Sequence, residues 1–139
     1  MKYFLALLVL FFVTFSASAR SIEVCPILPA QAGLEWTYQE GPDFDVCYAA
    51  KPGSKTIVFG IYLGNFPSFK TKDAIRLGKG RVASKEVIWY QDNSSTFGRQ
   101  TIIVLNKKYE NFAHVWVVAG TEQELRYRLS ILEQIKFKQ

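Results

Sequence analysis

His114-Val115-Trp116-Val117-Val118-Ala119 runs through Gly120 into Thr121-Glu122-Gln123-Glu124-Leu125, and the change of period across that glycine decides the fold. Before Gly120 the pattern is that of a strand. His114, Trp116 and Val118 fall on one face and Val115 and Val117 on the other, so both faces are largely apolar. After it, Leu125, Leu129 and Leu132 recur at i, i+4 and i+7, the single stripe of an amphipathic helix, with Arg126, Glu133 and Gln134 elsewhere on the cylinder. Thr121 followed by Glu124 is the S/T-x-x-E signature of a capping box and marks the helix start. A stripe of this kind buries itself on a sheet.

Working back from that junction, the chain reads as strands and turns. Residues 34–38 alternate, with Leu34, Trp36 and Tyr38 on one side, and Gly41-Pro42 turns the chain into a second strand at 44–50. There Phe44, Val46 and Tyr48 share a face and Cys47 points to the opposite one. Lys51-Pro52-Gly53-Ser54 is a turn, 56–63 a strand apolar on both faces, and 64–81 a long loop with one helical turn near 73–77. Strand signals return over 81–91, break at Asp92-Asn93-Ser94-Ser95, and resume over 97–105 as a hairpin before a polar turn at 106–111. Hairpins followed by one helix give an α+β fold: a mostly antiparallel sheet of about five to seven strands with one C-terminal helix packed on it. One helix of about three turns covers one face of such a sheet. The other face needs the N-terminal arm, the long loop or a partner to cover it.

The chain begins with Lys2, an apolar run over 3–13 and Ala17-Ser18-Ala19, the pattern of a cleaved signal peptide spanning residues 1–19. Its apolar run is too short to span a bilayer as a helix, which takes about twenty residues. The expected mature chain, 20–139, is a single domain, exported to the periplasm or the exterior and soluble after cleavage. Loss of Lys2 takes the formal charge from +5 to +4, a mild surplus that favours an acidic protein or an anionic surface over nucleic acid. Its two cysteines, Cys25 and Cys47, meet an oxidising compartment and allow one bridge. That bridge ties an extended arm, 20–33, to the face opposite Phe44, Val46 and Tyr48.

No nucleophile, P-loop or metal-ligand motif is present, and no cofactor or metal is implied. The acidic group Glu40, Asp43 and Asp45 sits around a Gly-Pro turn, where solvated carboxylates are commonplace. His114 is the sole histidine and the one candidate for catalysis, as a general base; the competing reading is a strand histidine hydrogen-bonded to a neighbour. The strongest binding candidate is the 64–81 loop, which sets Phe66 and Phe69 among Lys70, Lys72, Arg76, Lys79 and Arg81. The sequence therefore points to an exported, non-catalytic binding or inhibitor-type module acting on an envelope or extracellular protein. The alternatives are a small envelope hydrolase using His114 and a peripheral binder of anionic lipid or polysaccharide. A second subunit on the uncovered sheet face would make the protein an oligomer.

Residues 114–119, 121–125 and 131–137 resemble the closing strand-helix-strand of Mog1/PsbP-like α/β/α sandwiches, and the whole chain resembles small exported proteins of bacterial genomes. The second resemblance implies a location and no activity. Neither carries a functional residue over to this sequence.

Overall fold

The computed structural model describes residues 20–138. The expected signal peptide lies outside the described residues. Seven strands form one antiparallel sheet: β1 Glu35–Glu40, β2 Phe44–Ala50, β3 Phe59–Gly64, β4 Arg76–Val82, β5 Lys85–Gln91, β6 Arg99–Asn106 and β7 Asn111–Val117. Their order across the sheet is β1-β2-β3-β7-β6-β5-β4, so β1 and β4 are its edges. One helix, α1 Glu122–Gln134, follows β7.

Register assigns every side chain to a face. Cys47, Ile61, Val115 and Thr101 lie opposite one another across β2, β3, β7 and β6, and Trp36, Ala49, Phe59 and Val117 form the next row. These rows carry the core: Phe59, Ile61, Val115, Val117 and Thr101 are all but sealed from water, and Leu125, Ile131 and Leu132 of α1 close over them. Thr101, the buried polar residue, donates through Oγ1 to the Ile88 carbonyl at 2.7 Å, so its hydroxyl carries no desolvation penalty. Thr121 caps α1 as the capping box requires, accepting from the Glu124 amide at 3.1 Å, while the Glu124 carboxylate accepts from the Gly120 amide at 3.0 Å.

The arm packs on this same face. Cys25 is bonded to Cys47, the Pro26 carbonyl accepts from Trp36 Nε1 at 2.7 Å, and Ile27 bridges to Lys136 just beyond the helix. Single 3₁₀ turns at Ile22–Val24 and Ala30–Ala32 shape what the sequence shows only as irregular. Helix and arm thus share one face of the sheet and leave the opposite face to other cover.

Two boundaries differ from the sequence reading. Residues 76–82 are not part of the loop but edge strand β4, so the helical turn expected near 73–77 is instead a single 3₁₀ turn at Thr71–Asp73, and β4 and β5 are separated by a tight turn at Ala83 and Ser84. Both turn residues have positive φ, 51° and 65°, as a two-residue hairpin with the twist of its strands requires. Glycine or asparagine would announce such a turn, and alanine and serine do not. The second difference lies between β5 and β6. They pair only at Tyr90–Gln100 and Gln91–Arg99 and then diverge, so the β4–β5 hairpin splays from the rest of the sheet at its far end.

Candidate functional site

The face opposite the helix is built from glycines and aromatic rings. On β3, Gly60, Tyr62 and Gly64 point to this side. Trp116 of β7 lies across Gly60 and Tyr62 folds over Gly64; a Cβ at either glycine would overlap the ring above it. Glycine is the only residue that lets a ring lie flat on the strand at these two places. Phe44 stacks on Tyr62 with centroids 5.4 Å apart, and Tyr48 meets Trp116 edge to face at 6.0 Å. These rings are half-buried: their inner sides rest on the sheet and their outer sides meet water.

Across this face runs residues 65–75, the connection from β3 at the middle of the sheet to β4 at its edge. It acts as a strap tied at both ends, where the Phe66 amide donates to the Tyr62 hydroxyl at 3.2 Å and the Gln91 amide donates to the Ile75 carbonyl at 2.9 Å, with Phe69 as its anchor in between. Phe69 stacks on His114 at 5.3 Å and 20° and meets Tyr90 at 5.7 Å, so a single side chain ties the strap to both β7 and β5. Of the two aromatics that the sequence places in this loop, Phe69 packs against the sheet and Phe66 is 73% exposed. Lys70 and Lys72 are exposed on the strap. Arg76, Lys79 and Arg81 belong instead to β4, in register with Tyr90, Ile88 and Glu86, which puts all three on the strap's side of the sheet. Lys79 pairs with Glu86 at 3.4 Å and Arg81 donates to the Ser84 carbonyl, which leaves Arg76 on this edge beside the strap.

His114 sits beneath the strap, flanked by Phe69 and by Trp116 at 5.4 Å. Its Nε2 lies 3.0 Å from Gln100 Oε1, and Gln100 Nε2 donates to the Gln91 carbonyl at 3.1 Å. Because the Gln100 amide nitrogen is committed to a carbonyl, its oxygen faces the ring, and Nε2 must be the protonated nitrogen. Burial pushes the His114 pKa down to about 4, against a smaller upward pull from Asp92. At neutral pH the ring is therefore uncharged and serves as a positioned donor. The geometry matches the strand histidine hydrogen-bonded to a neighbour.

The acidic group is split. Asp45 accepts from Arg20 Nε at 3.0 Å and from the Tyr38 hydroxyl at 2.5 Å, Glu40 lies 3.8 Å from the same guanidinium, and Asp43 is exposed. Arg20 also donates to the Gly41 and Phe44 carbonyls and so clips the arm to the β1–β2 turn. Among the described residues, no group of three or more His, Cys, Asp or Glu side chains is placed to hold a metal, and no helix is long and apolar enough to cross a membrane.

The sequence reading puts Phe44 with Tyr48 and His114 with Trp116 on shared strand faces, but of these it marks only His114 as a candidate functional residue. The missed signal is Gly60-x-Tyr62-x-Gly64, two glycines on the same strand face with an aromatic between them. Comparison of the chain with family models, with curated proteins and with solved structures finds no match.

Proposed function

We propose that this chain is an exported, non-catalytic binding module that engages an envelope or extracellular protein through the open face of its sheet. The observation that carries this reading is the asymmetry of cover. Helix and disulfide-tied arm lie together on one face, while the other presents Phe44, Tyr48, Tyr62 and Trp116 with a single strap across it. Half-exposed aromatic rings on a rigid strand scaffold are the usual anchors of a protein interface, supplying apolar area at low entropic cost. The basic strap and β4 edge favour an acidic rim on the partner.

The test is site-specific photo-crosslinking in an envelope extract. A photoreactive residue at Tyr48 is expected to give a discrete adduct, and one at Glu133, exposed on the helix, none. Charge removal by Lys70→Ala/Lys72→Ala/Arg76→Ala should weaken the Tyr48 adduct. Equal labelling from positions 48 and 133 would overturn the assignment of the open face.

A further inference from the structure

One end of the molecule gathers lysines that the open face does not use. Where β5 and β6 diverge, they leave a cleft of about 580 Å³, closed from below by the C-terminal tail and lined by Lys85, Lys136 and Lys138 together with Asn106 and Asn111. Those two asparagines pair with each other at the base of the β6–β7 turn, so the residues between them, Lys107 and Lys108 among them, project from the same end. Five lysines therefore converge on one pole from three separate segments of chain: the start of β5, the β6–β7 turn and the C-terminal tail. Lys138 donates to the Glu23 carbonyl at 2.7 Å, and among the described residues no carboxylate lies within 4.0 Å of the other four ammonium groups. Glu110 is the acid within the turn, and Glu23, Asp43 and Asp45 border the adjoining groove, Asp45 being paired there with Arg20. The pole keeps a net positive charge.

The same end exposes apolar side chains. Tyr109 in the turn is 66% exposed with the Lys108 ammonium 5.4 Å from its ring centroid, and Val104, one strand from Phe112, is 51% exposed. Lysines around protruding apolar and aromatic groups match a bilayer interface. The ammonium groups meet lipid phosphates while tyrosine takes the amphipathic headgroup level. A soluble polyanion would use the charges and leave Tyr109 and Val104 without a role.

We infer that this lysine pole docks the folded domain on an anionic membrane surface. The strands then stand away from the bilayer, and the open face stays free for its partner. The experiment uses the chain from Arg20 onward, which contains the entire sheet, helix, core and disulfide, so that the apolar segment 1–19 cannot contribute. Co-sedimentation is measured with phosphatidylcholine vesicles and with vesicles containing phosphatidylglycerol, at about 0.1 M and 1 M salt, which brings the Debye length from about 10 Å to 3 Å.

The wild type is expected to sediment with the anionic vesicles alone, and only at low salt. Lys107→Ala/Lys108→Ala/Lys136→Ala should lower partitioning about a hundredfold, roughly fivefold for each lysine near the surface. An unchanged unfolding midpoint checks that this variant is folded. The strap variant Lys70→Ala/Lys72→Ala/Arg76→Ala should bind vesicles as the wild type does, which separates this pole from the open-face reading. Val104→Ser/Tyr109→Ala should weaken vesicle binding and leave retention on immobilised dextran sulfate unchanged. Equal sedimentation with neutral and anionic vesicles would overturn the inference, as would undiminished binding by the lysine variant or retention on dextran sulfate without vesicle binding.

Discussion

His114 shows how a residue's surroundings decide its role. The sequence marks it as the sole imidazole, and an imidazole with its ordinary pKa of about 6.5 would be half-charged near neutrality. Placed under Phe69 and beside Trp116, with Nε2–H donated to Gln100, it is held neutral instead. The burial that lowers its pKa to about 4 comes from strands and a strap distant in sequence, which no local pattern reveals. The sign for stability follows directly. A folded-state pKa below the unfolded value means that the unfolded chain binds the proton more readily, so this contribution is complete above about pH 6.5 and is lost as pH falls towards 4. Denaturant titrations at pH 7 and pH 5 should show the wild type losing about 1 kcal/mol more than His114→Gln, allowing for solvent screening of a half-buried ring. Equal losses would remove His114 as the source of acid sensitivity.

At the scale of elements, legibility followed period and punctuation. The helix was legible because its stripe and its cap agree, and β7 because it alternates cleanly. β4 was hidden: Gly78, Lys79, Gly80 and Arg81 have the composition of a loop, and the strand forms because β5 supplies an antiparallel partner along its length, with one irregularity between Arg76 and Gly78. The turn that joins them was equally hidden, since Ala83 and Ser84 pay the steric cost of positive φ without advertising it. One tertiary and one local contact hold the turn: the Ala83 amide donates to the Leu132 carbonyl in the last turn of α1, and within the hairpin Arg81 donates to the Ser84 carbonyl. A left-handed conformation costs a non-glycine residue about 1 kcal/mol, and Ser84 is exposed with no side-chain bond to lose. Ser84→Gly should accordingly raise stability by about 0.5–1 kcal/mol, read as a higher urea midpoint with an unchanged slope. A lower midpoint would mean that the greater freedom of glycine in the unfolded chain outweighs the relieved strain.

At the scale of the molecule, the question of cover divides the surface. The alternation of residues 44–50 placed Cys47 opposite Phe44, Val46 and Tyr48, and the arm follows it to the helix side of the sheet. The strap's path over the other side was not legible, because β3 pairs with β7 rather than with β4 and no short-range signal encodes that order. The arm packs Leu28 and Ala32 against the core and seats Trp36 through Pro26, so its attachment bears on the whole domain. Twenty-two residues separate Cys25 from Cys47, and closing a loop of that size in the unfolded chain is worth about 3 kcal/mol in the chain-entropy account. Cys25→Ala/Cys47→Ala should then lower the Tm by roughly 10 °C. Hydrogen exchange should show faster exchange first at the Ile27 and Lys136 amides, which bond each other's carbonyls where arm meets tail, while the Val115 and Val117 amides of the central strand stay protected. Exchange accelerated equally across β7 would instead make the bridge a condition for the sheet itself, and the arm would then be part of the core that the sheet needs in order to form.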